Sequence, residues 1–206
     1  MKRKILYVSI LTVAAAASQA ITLTFHNSVG GKSQAVNVST GGNGHQFMAG
    51  AMDITLGGGP HVEAYCVDLL HSVSNGNSYN VNVKPMSMQG PYGDRAAWLF
   101  QTYAPAVDTS EKGAALQLAI WDVVSDGGDG FGAGWFQTSE TGSLLSQAQT
   151  YLNASIGQSG SAYWLEATGH GEHNDRNQNL MTTVPEPSSI AAVAVGAMAL
   201  LRRRRK

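Results

Sequence analysis

The chain of 206 residues holds a single cysteine, Cys66. In an exported protein a lone thiol excludes an intramolecular disulfide and leaves a buried small hydrophobe, an intermolecular disulfide or a reactive group. Long apolar runs are also missing. The two most apolar stretches, Ile5 to Ala17 and Ile190 to Leu201, both fall short of the ~20 residues that a helical membrane span needs. Cations are scarce in the middle of the chain. Three of the thirteen Lys and Arg lie in the first four residues and five in the last five, leaving five to face most of the fourteen Asp and Glu. The body is therefore strongly acidic although the whole chain carries a formal charge of only −1. An acidic body repels phosphate, which excludes nucleic acid as a partner. No internal repeat is present, and no cofactor is expected.

Both ends read as targeting segments. Met1-Lys2-Arg3-Lys4, the apolar run after it and Ser18-Gln19-Ala20 have the layout of a secretory signal peptide, over residues 1–20. At the other end, Pro185-Glu186-Pro187 precedes the second apolar run and the cluster Arg202 to Lys206. This order resembles the PEP-CTERM sorting signal of Gram-negative bacteria, over residues 185–206. The resemblance implies recognition by an exosortase and cleavage near Pro185-Glu186-Pro187. It also implies transient inner-membrane contact through the tail, and a mature protein that is secreted or held at the cell surface or in the exopolysaccharide matrix.

Between these ends, residues 21–184 form one expected domain. Alternating residues predict strands over Ile21–Phe25, Gln34–Val38, Phe47–Leu56, His61–Leu70 and Tyr79–Val83, with Asn75-Gly76 as a hairpin turn between the last two. Helical spacing follows over Tyr92–Tyr103. A second helix runs to Val124 from a capping-box-like start at Asp108, and a third spans Ser143–Asn153. Strand character returns at Ala162–Thr168 and Gln178–Thr183. Strands, helices, then strands predict a mainly β, α+β fold: a sandwich or barrel with an inserted helical subdomain.

Gln117 stands out on the central helix. Its helical neighbours Gly113, Ala114, Ile120, Trp121 and Val124 are apolar or very small. A buried amide without a partner costs roughly 1–3 kcal/mol, so a hydrogen bond to backbone or a special role is expected. On the strand at Cys66, period two places Asp68 on the same face, where its charge should raise the thiol pKa. That disfavours a resting catalytic thiolate.

Tyr65-Cys66-Val67 and Leu116-Gln117-Leu118-Ala119-Ile120-Trp121 together resemble the paired motifs of thioester domains in bacterial surface adhesins. The resemblance implies a Cys66–Gln117 thioester with Tyr65, Asp68 and Trp121 around it. It also implies a β-structure clamped to a helical subdomain, and covalent attachment to an amine-bearing surface or matrix molecule without enzymatic turnover. Leu116 departs from the Thr of many members, and the family is best known from Gram-positive surfaces. Two other classes compete: a noncovalent carbohydrate-binding protein of the matrix, with Trp98, Trp135 and Trp164 able to stack on sugars, and a cysteine hydrolase, for which no Cys-His motif is present. His170-Gly171-Glu172-His173 reads as a solvated loop with no third metal ligand. Asp126 and Asp129 lack the spacing of an EF-hand and read as a helix-ending turn. No metal is expected.

Overall fold

The computed structural model describes residues 20–168 and 177–183. The signal segment, the His170–His173 cluster and the tail with Pro185, Glu186 and Pro187 lie outside them.

The fold is α+β and mainly β, and its sheet closes into a barrel. β1 (Ile21–Thr40) pairs with β2 (Asn43–Leu56), β2 with β3 (His61–Cys66), and β4 (Ser78–Pro85) returns to the start of β1. β6 (Tyr163–Thr168) joins β4, and β7 (Leu180–Thr182) bridges β6 to β3, completing an antiparallel ring β1-β2-β3-β7-β6-β4. Closure removes the exposed strand edges that an open sheet would leave. β5 (Phe136–Thr138) adds to the far end of β1, beyond the ring.

The two strands predicted at Ile21–Phe25 and Gln34–Val38 are one. β1 runs through both, and its register against β2 slips between Phe25 and Asn27 and again between Ser28 and Ser33. Such bulges bend a strand without ending it. Asn75-Gly76 does form a turn, but not the predicted hairpin. β3 and β4 are not neighbours; instead Gly76 N–H donates to Phe25 O and Phe25 N–H to Asn77 O, both at 2.9 Å, so the turn feeds β4 onto β1. β3 stops at Cys66 rather than Leu70: Val67 N–H still reaches Asn179 O at 3.1 Å, but Asp68 N–H turns back to Cys66 Sγ at 3.3 Å and Leu70 N–H to the Asp68 carboxylate at 3.0 Å.

Three helices occupy the chain between β4 and β6: α1 (Gly93–Tyr103), α2 (Ser110–Asp126) and α3 (Gly142–Ala154). α2 starts at Thr109, whose hydroxyl accepts from Lys112 N–H, one residue later than predicted; Asp108 instead contacts Lys112 Nζ at 2.8 Å. Every residue from Gly113 to Val123 is buried, since α2 lies between the β1–β2 hairpin, α1 and α3. A helix apolar all round belongs in such a place. The helices, inserted between β4 and β6, share one continuous core with the barrel.

α2 reaches the hairpin through a glycine. A methyl group at Gly113 would fall 1.9 Å from the Lys32 carbonyl oxygen, in the bulged stretch of β1. That approach places Gln117, one turn further on, against the end of β3.

Candidate functional site

Cys66 and Gln117 meet. Cys66 N–H donates to Gln117 Oε1 at 3.0 Å, and Gln117 Nε2 donates to Cys66 O at 2.8 Å. The carboxamide is thus docked at two points on the backbone of the cysteine, 51 residues away. Both residues are buried, Gln117 at 1% and Cys66 at 3% exposure. The expected partner of the glutamine is therefore backbone, and it is the backbone of Cys66 itself.

The sulfur lies in a tight loop. Cys66 Sγ donates to Asp68 O at 3.0 Å and accepts from Asp68 N–H at 3.3 Å. Burial pushes the thiol up to about 12; the Asp68 N–H and the Trp121 side chain pull against this, and the Asp68 charge adds a smaller push upward. The sequence assigned that role to the Asp68 charge, on the basis of a shared strand face. The strand ends before Asp68, and desolvation is the larger cause. Trp121 Nε1 is buried near the sulfur yet has no hydrogen-bond partner of ordinary geometry.

Asp68 has a structural task. Its carboxylate accepts from Leu70 N–H at 3.0 Å, His71 Nδ1 at 2.7 Å, Asn179 Nδ2 at 2.9 Å and Asn179 N–H at 3.4 Å. Gln178 Nε2 donates to the carbonyls of Asp68 and His71. The loop after Cys66 is thereby tied to the segment entering β7. His71, Gln178 and Asn179 were not singled out from sequence; only the spacing of His71, three residues after Asp68, hinted at a link. Asp68→Ala removes an acceptor shared by four donors. The donors are half-buried or, at Leu70, exposed, so water replaces part of what is lost, and stability is expected to fall by about 1–3 kcal/mol. Thermal unfolding and exchange of the Leu70 amide would show it.

A cleft of about 470 Å³ opens onto this site, lined by Phe25, Phe47, Cys66, Asp68, His71 and Trp121 among others. Trp121 is held edge-on by Phe47 of β2 and packs on Phe136 of β5, each ring 6.1 Å away. It lines the cleft beside Cys66. Tyr65 does not. Alternation turns its ring away from Cys66, and it packs on Phe100 of α1 at 5.6 Å, with burial raising its hydroxyl pKa. The three other tryptophans have separate settings. Trp98 meets Tyr103, Trp164 lies beneath Lys84, and Trp135 is 38% exposed beside Gly41.

Residues 183–206 match the PEP-CTERM protein-sorting motif. The protein is thus exported, with a C-terminal tail marked for exosortase processing. No curated protein matches the chain. Among solved structures it is similar to the N-terminal thioester domain of the fibronectin-binding protein SfbI from Streptococcus pyogenes. Identity is 12% and the TM-score 0.41, over 72% of this chain and 93% of that one. At that score the likeness carries no argument, and the reading of the site rests on its geometry. Among the described residues, no helix is long and apolar enough to cross a membrane.

Proposed function

We propose that the exported protein attaches covalently to a partner through an internal thioester between Cys66 Sγ and the Gln117 side-chain carbonyl. The observation that carries this reading is the two-point docking of the Gln117 carboxamide on Cys66. An ordinary buried glutamine needs some backbone partner, but nothing requires that partner to be the chain's single cysteine. The Cys66 N–H on Gln117 Oε1 would polarise the carbonyl and stabilise negative charge on that oxygen during attack, as an oxyanion donor does.

The chemistry balances without a cofactor. The Cys66 thiol adds to the Gln117 carboxamide, the C–N bond breaks, and ammonia leaves with the thiol proton. A partner amine later adds to the same carbonyl carbon, the C–S bond breaks, and an amide forms. Burial disfavours a thiolate here, so Cys66 leaves as the thiol and takes the proton that the amine gives up. Trp121 N–H, buried and without a partner, can donate to the sulfur as the bond breaks. One attachment consumes the acyl group, so this is stoichiometric covalent chemistry and not catalysis.

The same pKa argues against the hydrolase reading. With burial pushing the thiol up to about 12, the resting group is the neutral thiol and not the thiolate a cysteine hydrolase needs. The fitting partner is an amine-bearing molecule of the cell surface or surrounding matrix, in keeping with an exported and sorted chain. Intact-mass spectrometry of freshly purified exported protein tests the reading, and an unmodified mass would overturn it.

A further inference from the structure

A second cluster lies at the opposite end of α2 from its cap. Asp122, Asp126 and Asp129 each turn a carboxylate oxygen into one spot, all within 4.8 Å of one another. Helix C-termini carry partial negative charge, which makes them an unfavourable place for three carboxylates. None of the three forms an ion pair with a described residue. Arg95 is nearby, but its guanidinium donates to Gly127 O, Leu152 O and Ser155 Oγ.

Asp122 is the decisive member. It is fully buried, and its Oδ1 has no hydrogen-bond partner, while Oδ2 accepts only a long bond from Gly130 N–H at 3.3 Å. A buried carboxylate oxygen without a partner carries a large desolvation cost. Asp126 is half-buried, and its Oδ2 accepts from Phe136 N–H at 2.6 Å; Asp129 is exposed. The arrangement grades from closed to open, with solvent access on the Asp129 side. Gly134 abuts two of the oxygens. A methyl group there would fall 2.6 Å from Asp126 Oδ2 and 2.8 Å from Asp129 Oδ2, so the glycine lets the loop close over the cluster.

We propose that Asp122, Asp126 and Asp129 form a calcium site that fastens the C-terminal end of α2 to the loop entering β5. Calcium takes oxygen ligands at about 2.3–2.6 Å, so ligand oxygens of one ion lie no more than about 5 Å apart, as these do. An all-oxygen, all-carboxylate donor set suits a hard cation better than zinc or copper, whose sites favour imidazole or thiolate. The bound ion gives Asp122 Oδ1 the partner it lacks and offsets the charge that the helix end resists. Phe136, whose amide Asp126 holds, packs on Trp121. The ion therefore stiffens the wall of the Cys66 cleft from behind. The inference goes beyond the thioester reading and does not depend on it.

The test uses the exported protein, stripped with EDTA and titrated with calcium chloride by calorimetry, with thermal unfolding in parallel. One calcium binds per chain, and Tm rises by about 5–10 °C at a calcium concentration about a hundred times Kd. Asp129→Asn, at an exposed position, removes one of three like charges, so in EDTA it unfolds at or slightly above the wild-type Tm, and it loses both the binding heat and the calcium-dependent rise. Asp122→Asn loses them too. Folded wild-type protein that shows no calcium heat overturns the proposal. So does a Tm rise that sodium chloride of equal ionic strength reproduces, or one that Asp129→Asn retains.

Discussion

Freshly purified exported protein is expected to weigh one ammonia less than its processed sequence. The effect is close to all-or-none, because a thioester either has or has not replaced the carboxamide in each molecule. Cys66→Ala and Gln117→Ala should each return the full mass of their own sequence, since each removes one end of the bond. Methylamine should open the wild-type bond, adding one methylamine at Gln117 and releasing one thiol that titrates only after unfolding. The delay follows from geometry, with Cys66 3% exposed and its thiol pushed up to about 12. Peptide mapping places the added group: on Gln117 it supports the bond, and on any other residue it does not. The variants also separate chemistry from architecture. Gln117→Ala leaves Cys66 N–H and C=O buried without partners, at roughly 1–3 kcal/mol each. Cys66→Ala keeps both backbone groups and hence the docking. If Cys66→Ala folds with wild-type Tm yet fails to capture an amine, the cysteine serves chemistry more than packing.

The parts of this fold that were legible in the sequence are the local ones. α1, α2 and α3 follow from helical spacing, and most strands from alternation, because both patterns are written within a dozen residues. What went astray depended on distant partners. The Asn75-Gly76 turn carries a hairpin signature, but its amides answer to Phe25, some fifty residues earlier, and the strands on its two sides part company. β1 reads as two pieces because its bulge interrupts the alternation, whereas β2 holds both halves in one strand. β5 is three residues long and exists only through β1. The site shows the same division. Gln117 was conspicuous as an amide on an apolar helix, and its meeting with Cys66 came from paired motifs, not from any spacing. Asp68 was given an electrostatic role from strand period, whereas its four donors come from loops on both sides of the barrel seam and hold the chain in place. Asp122 drew no notice, hidden inside the helix it helps to end.

Gly113→Ala should carry the second large effect, opposite in sign to what helix propensity alone predicts. Alanine is favoured over glycine inside a helix by about 1 kcal/mol, so on that ground the substitution would stabilise α2. The crossing with β1 reverses the sign. The new methyl would fall 1.9 Å from Lys32 O and 2.7 Å from the Lys32 carbonyl carbon, and these are backbone atoms that cannot swing aside. On its other flank Lys32 O faces Gly50, where a methyl would fall 2.2 Å away, so the bulge is already tight against β2. α2 must therefore move out by about 1.5 Å to restore ordinary contact. Gln117 lies one turn beyond, and a shift of that size takes its bonds of 3.0 and 2.8 Å out of hydrogen-bond range. The groups left behind are Cys66 N–H, Cys66 C=O and the carboxamide itself, all buried. At roughly 1–3 kcal/mol for each unpartnered group, their loss outweighs the propensity gain several-fold. Thermal unfolding should show Gly113→Ala several degrees below wild type. Gly30→Ala, at an exposed glycine with open space around it, should unfold where the wild type does. The intact mass of Gly113→Ala then joins the two effects. A helix displaced from β3 leaves the carboxamide out of reach of Cys66, so the variant should carry the full, ammonia-retaining mass. An unchanged Tm would mean that the crossing yields without cost. A lowered Tm with the ammonia still missing would mean that the bond forms before α2 settles against Lys32.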